Sequence, residues 1–108
     1  MFRGLWVSVT AFDGTRVILS SERWQHIVLR HPELKDEQPL ILKAIATPDE
    51  VYVDPTGAVH ALKRVNAVTD YLVVINSVNG EGYIRTAYYT SNERKARRYK
   101  TYRRLKPS

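Results

Sequence analysis

Two histidines near the end of an apolar segment are the side chains best suited to proton transfer. His26 and His31 lie five positions apart, about 500° of rotation on a helix, so they do not share a helix face. His31 follows Ile27 by four residues and is the first candidate for a general acid or base, because a helix C-terminus favours protonated imidazole. His26 is the second candidate. The alternative, which spacing alone favours, is that His31 is a capping residue packed on Trp24 and that His26 is solvated.

The same histidines could in principle bind a metal ion, which requires three or four converging ligands at spacings such as i, i+4. Here the spacing is i, i+5, His60 is the only other histidine, and the chain has no cysteine. The sequence therefore predicts no metal site and no cofactor. The lack of cysteine also excludes a disulfide scaffold, a redox dithiol and a cysteine nucleophile.

Polar and aromatic side chains on the predicted strands could bind a phosphate group and the base beside it. They are Arg64, Arg85, Thr86, Tyr88 and Tyr89. An arginine can clamp a phosphate, a threonine can donate a hydroxyl, and a tyrosine can stack on a base, which together are the components of a metal-free ribonuclease. Each also has a structural explanation, because Thr and Tyr form strands well and an edge arginine discourages aggregation. Their combination favours the functional interpretation.

The positive charge of the chain is concentrated at its C-terminus. The formal net charge is +6, yet residues 1–91 hold nine basic and ten acidic side chains, whereas residues 92–108 hold eight basic side chains and one acidic one. This pattern predicts a polyanionic partner for the tail rather than for the body of the domain. The tail cations are Arg94, Lys95, Arg97, Arg98, Lys100, Arg103, Arg104 and Lys106.

The secondary-structure elements that position these residues are predicted to form an α+β domain. Residues 5–12 and 16–19 predict a β-hairpin turning at Asp13-Gly14. A first helix follows, capped by Ser20 or Ser21 and ended at His31 by Pro32, and a second helix extends from residue 36 to Pro48. Strands over residues 50–53, 59–65, 71–78 and 83–90 then predict a four-stranded antiparallel meander.

The meander also predicts a register and leaves the tail open. A four-residue loop over residues 79–82 places Val78 opposite Tyr83, and Thr86 and Tyr88 then share a face with Ile84, while Arg85 and Tyr89 lie on the other face. Residues 92–108 could form a helix or an extended segment, and the sequence does not decide between them.

The length of 108 residues allows one compact core and not two. We therefore predict a single domain over residues 1–91 followed by the basic tail over residues 92–108. The longest apolar run, residues 71–75, is far shorter than the roughly 20 residues of a membrane span, and the N-terminus lacks the apolar stretch of a signal peptide. These features predict a cytoplasmic protein without a membrane partner, and they leave the oligomeric state open.

Six segments, in order over residues 20–92, resemble the phage-associated branch of the BECR nucleases, the fold group of barnase, EndoU, the tRNase colicins and the RelE-type toxins. The segments are Glu22-Arg23-Trp24-Gln25-His26-Ile27, His31-Pro32-Glu33-Leu34, Pro48-Asp49-Glu50-Val51, Lys63-Arg64, Tyr71-Leu72-Val73-Val74 and Thr86-Ala87-Tyr88-Tyr89. The resemblance implies two helices against a four-stranded antiparallel sheet. It also implies metal-independent RNA cleavage in which the ribose 2′-OH attacks the adjacent phosphate.

We therefore expect a metal-independent endoribonuclease of the toxin or prophage-effector type. By the resemblance, the active positions are His31, with His26 second, then Arg64, Thr86 and Tyr88 or Tyr89. In this hypothesis His31 transfers the proton, Arg64 stabilises the pentacoordinate phosphate, and Thr86 and Tyr88 position it.

RNA, free or on the ribosome, is the expected partner of this domain. Arg85, Tyr89 and the tail cations from Arg94 to Arg104 are the expected binding residues. The alternative from another class is a non-catalytic module of the same fold that binds nucleic acid or a protein partner. In a third possibility, an acidic antitoxin or inhibitor protein binds the tail.

Overall fold

The computed structural model describes residues 6–66, 70–79 and 81–107. Two features predicted above lie wholly or partly outside the described residues: the start of the first strand at Leu5 and Gly80 in the last hairpin turn.

In the described part of the chain, seven strands, three α-helices and one short 3₁₀ helix follow one another. They are β1 (Trp6–Thr10), β2 (Arg16–Ser20), α1 (Ser21–Arg30), the 3₁₀ helix (Pro32–Leu34), α2 (Gln38–Ala46), β3 (Glu50–Val53), β4 (Val59–Asn66), β5 (Asp70–Asn79), β6 (Glu81–Ser91), α3 (Asn92–Tyr99) and β7 (Arg103–Lys106). The α+β class is confirmed.

Helix α1 begins and ends where local sequence dictates. The Ser20 hydroxyl accepts a hydrogen bond from the backbone N–H of Arg23 at 3.1 Å, which caps the first turn. His31 leaves helical geometry at φ −133° and ψ 73° because Pro32 follows it, while its N–H still donates to the Ile27 carbonyl at 2.8 Å. The predicted bounds of this helix are therefore confirmed, and His31 is held at its C-terminal end.

The strands form one mixed sheet in the order β1-β2-β6-β5-β4-β3-β7. The predicted antiparallel meander, β3 to β6, is its centre, but the sheet has seven strands rather than four. The hairpin β1-β2 joins it because β2 pairs in parallel with β6 at Val17–Gly82 and Ile18–Tyr83. A Cβ on Gly82 would lie 3.0 Å from the Arg16 carbonyl oxygen, so the close approach of these strands needs glycine there.

The predicted register of β5 and β6 is confirmed for residues 71–75, which pair with residues 86–90. It is wrong beyond that point, where Ser77 pairs with Tyr83 and Val78 with Gly82. The cause is a β-bulge at Arg85, which inserts one extra residue into β6. Ile84 therefore does not share a face with Thr86 and belongs to the opposite core.

Each face of the sheet is covered by helices. On the first face, α1 and α2 bury a core that contains Val17, Leu19, Ala61, Leu72, Val74, Ile84 and Ala87. On the second face, α3 covers Leu62, Tyr71, Val73 and Ile75, with Tyr52 and its own Tyr99 completing the cluster. Two helices were predicted; α3 is the third, and it lies on the face opposite to the other two.

The basic tail, whose conformation the sequence left open, forms both of the structures that were considered. Ser91 caps α3 by accepting from the Arg94 N–H at 3.2 Å, and the buried Tyr99 ends the helix on the second face. The chain then extends into β7, which pairs antiparallel with β3 at Val53–Arg103 and Tyr52–Arg104. Four of the eight tail cations therefore lie on α3, and three more, Arg103, Arg104 and Lys106, lie on β7.

Candidate active site

The candidate site lies at the edge of β6 that β2 leaves open. Because β2 pairs with β6 only near Gly82, the stretch from Thr86 onward has α1 rather than a strand beside it. His31 at the end of α1 and Tyr88 on β6 meet there, with ring centroids 6.1 Å apart. The His31 side chain is 31% exposed, so solvent and a ligand can reach it.

His31 also has a carboxylate beside it. Its Nδ1 lies 3.7 Å from Oε2 of Glu33, which is half-exposed. The carboxylate is therefore within ion-pair distance of the imidazole whenever the ring carries a proton.

Arg98 is the cation that contacts the same tyrosine. Its Nη1 donates to the Tyr88 hydroxyl at 2.6 Å, and its guanidinium carbon lies 5.7 Å from the centre of the Tyr88 ring. The side chain is exposed, and its guanidinium carbon also lies 5.8 Å from the centre of the Tyr99 ring. Tyr88 thus brings an imidazole and a guanidinium to one place.

A depression of about 420 Å³ adjoins this trio. It is lined by Tyr88, Tyr89, Thr90, Arg94, Arg97 and Arg98. Three arginines and two tyrosine rings form a surface that attracts phosphates and offers faces for base stacking.

Tyr89 belongs to the first face, unlike Tyr88. Its ring packs against the core under α1 and α2, and its hydroxyl donates to Glu37 Oε2 at 3.4 Å. Burial and the neighbouring Glu37 carboxylate both raise the pKa of Tyr89. Tyr89 therefore reaches the depression from the opposite side of the sheet edge.

Arg64, the predicted phosphate-stabilising residue, lies elsewhere on the second face. In the register of the sheet, Arg64 pairs with Tyr71 and Tyr71 with Thr90, whereas Tyr88 is two residues further along β6. This places Arg64 and Tyr88 two strands apart, about 12 Å between Cα atoms. The Arg64 Nη2 donates to the Tyr71 hydroxyl at 2.8 Å, and this bond raises the pKa of Arg64.

Lys95, a predicted RNA contact, forms an ion pair with the domain body instead. Its Nζ lies 3.0 Å from both carboxylate oxygens of Glu50 and 4.9 Å from the centre of the Tyr71 ring. Burial would raise the pKa of Glu50, but hydrogen bonds from Tyr52 and Lys95 outweigh it and lower that pKa. Conversely, burial and the hydrogen bond to Glu50 raise the pKa of Tyr52 to about 12.

The other predicted residues are spread over the surface. Thr86 is half-buried on the second face opposite Ile75, two residues from Tyr88, and the exposed Arg85 occupies the bulge. His26 is exposed on α1 and lines a separate depression with Ser20, Glu22 and Arg23.

The remaining tail cations lie on the far side of α3. Lys100 and Arg104 line a second depression of about 240 Å³ with Tyr52, Tyr99 and Tyr102, and Arg103 is exposed on β7.

Three residues that the sequence analysis did not select form a hydrogen-bonded group under α3. His60, 1% exposed, has Nε2 2.9 Å from Asp54 Oδ2 and Nδ1 2.8 Å from the Tyr99 hydroxyl. Asp54 belongs to the Asp54-Pro55-Thr56-Gly57 turn between β3 and β4, where its Oδ1 also accepts from the Thr56 and Ala58 N–H groups. The alternation of His60 with Leu62 on β4 was a signal that this imidazole faces a core.

Comparison with protein-family models, curated proteins and solved structures finds no match to this chain. Among the described residues, no helix is long and apolar enough to cross a membrane. Within the same residues, no group of three His, Asp or Glu side chains is arranged to hold a metal ion.

Proposed function

We propose that this chain is a metal-independent endoribonuclease of the BECR type whose active site is formed by His31, Tyr88 and Arg98. The observation that carries the proposal is that a partly exposed imidazole and an exposed guanidinium both contact one tyrosine, beside a depression lined with arginines. A proton acceptor and a phosphate-binding cation are the two groups that RNA transesterification requires.

The reaction uses the ribose of the RNA as nucleophile. His31 removes the proton of a 2′-OH, the 2′ oxygen bonds to the adjacent phosphorus, and the bond from phosphorus to the 5′ oxygen breaks. The leaving 5′ oxygen takes a proton from the imidazolium or from water, so the products are a 2′,3′-cyclic phosphate and a 5′-hydroxyl. Glu33 stabilises the imidazolium between these steps.

The developing negative charge on the phosphate is stabilised by Arg98. A guanidinium carries N–H groups in a planar fork that matches two phosphate oxygens. Thr86, on the same face as Tyr88, adds a hydroxyl, and Arg94 and Arg97 hold the neighbouring phosphates of the chain. Tyr88 and Tyr89 supply aromatic faces for the flanking bases.

Two arginines are now candidates for the phosphate-stabilising role, and a matched pair of variants decides between them. Arg98 touches Tyr88 in the proposed site, whereas Arg64 has the role by resemblance and contacts Tyr71. We expect Arg98→Ala to lower kcat/KM by roughly 10²- to 10³-fold, the loss typical of one charge-stabilising donor. Arg64→Ala serves as the control and should stay within about threefold of the wild-type value.

The experiment that tests the reaction is cleavage of labelled single-stranded RNA in excess chelator. We expect cleavage with 2′,3′-cyclic phosphate ends, a loss of about 10²- to 10⁴-fold in His31→Ala, and intact RNA when the ribose at the cut site is replaced by 2′-deoxyribose. Circular dichroism of each variant checks that the fold is retained. Cleavage that His31→Ala leaves unchanged, or that proceeds on the deoxy substrate, would overturn the proposal.

The second candidate function is a non-catalytic module that binds RNA. It is supported by the exposed cations of α3. Arg94 and Arg97 are exposed, and a contact between them and RNA phosphates does not require His31. This function predicts RNA retardation in gels without products at any pH. Arg94→Gln with Arg97→Gln should then reduce the slope of log K against log salt by about 1.4, since each single-strand phosphate contact contributes about 0.7.

In a third possibility, an acidic antitoxin or inhibitor protein binds the tail. The open edge of β7, with Arg103 and Arg104 exposed, supports it. We expect such a protein to compete with RNA for binding to the wild-type chain. This competition should be lost in the double variant Arg103→Glu with Arg104→Glu.

A further inference from the structure

The second depression, which lies beside α3 and β7, takes no part in the reaction described above. Its volume is about 240 Å³, and two exposed cations line it, Lys100 at the C-terminal end of α3 and Arg104 on β7. The half-buried ring of Tyr102 lines the same depression. Cations beside an aromatic ring are the groups that bind the phosphate and the base of a single-stranded nucleotide.

The wall of the second depression is positively charged, although a carboxylate lies close to it. Lys95 also lines the depression, but its Nζ is paired with both carboxylate oxygens of Glu50 at 3.0 Å. Among the described residues, the other side chains of the wall are three tyrosines and one alanine, so no acidic group belongs to it. Lys100 and Arg104 therefore leave the wall with an excess of positive charge, which attracts an anion.

The tyrosine rings at this depression are held by the hydrogen-bonded group under α3. The Tyr99 hydroxyl lies 2.8 Å from Nδ1 of the buried His60, and the Tyr99 ring stacks on Tyr52 with centroids 4.7 Å apart. Tyr102 contacts both His60 and Tyr99 at steep interplanar angles, with centroid distances of 5.5 and 5.3 Å. A ring that is already held loses little freedom when a base stacks on it, which favours binding.

A row of cations along α3 connects the second depression with the proposed active site. Arg94, Arg97 and Lys100 are all exposed and are spaced by three residues, and Lys100 still has helical backbone geometry. Residues at this spacing are neighbours on a helix surface, about 5–6 Å apart between Cβ atoms. Arg94 and Arg97 line the depression beside Tyr88, whereas Lys100 lines the second depression. Successive phosphates of one strand can therefore follow this row from one depression to the other.

We infer that the second depression is a further nucleotide subsite, in which Lys100 and Arg104 bind a phosphate and Tyr102 stacks on a base. Its ligand is a nucleotide of a single strand, remote from the bond that is cleaved. The inference rests on the proposed function, because it assigns this nucleotide to the same RNA strand. Binding at the subsite is measured without cleavage, so the two can fail separately.

Two adjacent arginines of β7 provide a matched pair of variants. Arg104 pairs with Tyr52 and lines the second depression, whereas Arg103 pairs with Val53 and lies on the opposite face, because successive strand residues alternate between faces. Both arginines are exposed, and replacing either one with glutamine changes the net charge equally. A difference between the two variants therefore reports a local contact and not the overall charge.

The probe is a fluorescent single strand of about ten 2′-deoxynucleotides, which the proposed reaction does not cleave because it has no 2′-OH. We expect Arg104→Gln to reduce the slope of log K against log salt by about 0.7, the contribution of one single-strand phosphate contact. Lys100→Gln should reduce the slope by about the same amount, and Arg103→Gln should leave it unchanged. Equal slopes for Arg103→Gln and Arg104→Gln, or no binding of the probe by the wild-type protein, would overturn the inference.

A second pair of variants tests whether Tyr102 stacks on a base. Tyr102→Phe keeps the aromatic ring and should bind the probe within about twofold of wild type, whereas Tyr102→Leu should bind it about fivefold to tenfold more weakly. Circular dichroism checks that both variants retain the fold. An oligonucleotide with one abasic position, moved along the strand, gives the same test on the wild-type protein. Equal affinities of the two variants, together with no loss at any abasic position, would contradict the stacking role.

Poly-glutamate distinguishes a nucleotide subsite from a site for an acidic protein. It carries negative charge without a base, so we expect Arg103→Gln and Arg104→Gln to weaken its binding alike. If poly-glutamate displaces the oligonucleotide and loses affinity only in Arg104→Gln, the second depression binds acidic protein and the nucleotide assignment fails. If the oligonucleotide binds as expected but the wild-type protein cleaves no RNA, the proposed reaction fails and the subsite is supported.

Discussion

We predict that Lys95→Met destabilises the fold and leaves RNA affinity unchanged, although Lys95 lies among the cations of a basic helix. Its Nζ contacts both oxygens of Glu50 at 3.0 Å, and both side chains are only about one-seventh exposed. The substitution removes a hydrogen-bonded charge pair and the cation over the Tyr71 ring, and leaves the Glu50 carboxylate half-satisfied. Methionine retains the length of the side chain, so little packing is lost.

The expected loss is about 2 kcal/mol for the charged hydrogen bonds, and the cation–π contact adds about 0.5 kcal/mol. In a domain of this size, 1 kcal/mol corresponds to about 4 °C in Tm, so the melting temperature should fall by roughly 10 °C. Thermal unfolding followed by circular dichroism measures this value. A double-mutant cycle with Glu50→Gln should show a coupling of at least about 1 kcal/mol between the two positions.

Arg97→Met is the matched control, because Arg97 is exposed on the same helix and lines the depression beside Tyr88. We expect its free energy of unfolding to stay within about 0.5 kcal/mol of wild type, and its salt slope for RNA binding to fall by about 0.7. The reasoning is refuted if Lys95→Met lowers the salt slope and leaves Tm unchanged, since Lys95 would then be free to meet phosphate.

Three further predictions concern stability. Burial lowers the pKa of His60 in the folded protein, so as the pH falls the imidazole is protonated first in the unfolded chain, and Tm should fall below about pH 6.5. His60→Asn should flatten this part of the plot of Tm against pH. An unchanged plot would contradict the assignment of the pH dependence to His60. The lowered pKa of Asp54 adds a second loss only below about pH 4. Gly82→Ala should cost about 1–3 kcal/mol in urea unfolding, because the new Cβ meets a β2 carbonyl oxygen at 3.0 Å; a neutral result would mean that β2 and β6 are not closely paired. Ser91→Ala should cost about 1 kcal/mol through loss of the α3 cap, and a Tm equal to wild type would show that α3 is held by packing alone.

Features that depend on neighbouring residues were predictable from the sequence. The bounds of α1 follow from the Ser20 hydroxyl and from the restriction that Pro32 places on His31, and both act within one helical turn. The turn at Asp54 follows in the same way from its proline and glycine. The pairing of residues 71–75 with 86–90 was also predictable, because two adjacent strands of a hairpin have few alternatives.

The register failed where one residue changed its local geometry. The bulge at Arg85 places Tyr83 and Ile84 on faces opposite to those predicted, and strand propensity gives no signal for an extra residue in β6. Membership of the outer strands could not be predicted either. The parallel pairing of β2 with β6 joins residues about 65 positions apart, and it depends on close approach at Gly82 rather than on any local pattern.

The candidate site likewise combines features that the sequence predicts and features that depend on the tertiary structure. The sequence by itself determined which residue types could do chemistry, where α1 presents His31, and that the positive charge lies in the last 17 residues. Only the tertiary structure decided that α3 lies on the second face. It also decided that Lys95 pairs with Glu50 and that Arg98 donates to Tyr88. In the same way, it buries His60 between Asp54 and Tyr99. The physical reason is range: caps, turns and charge counts are local, whereas a hydrogen bond across 39 positions exists only once the sheet and α3 have packed together.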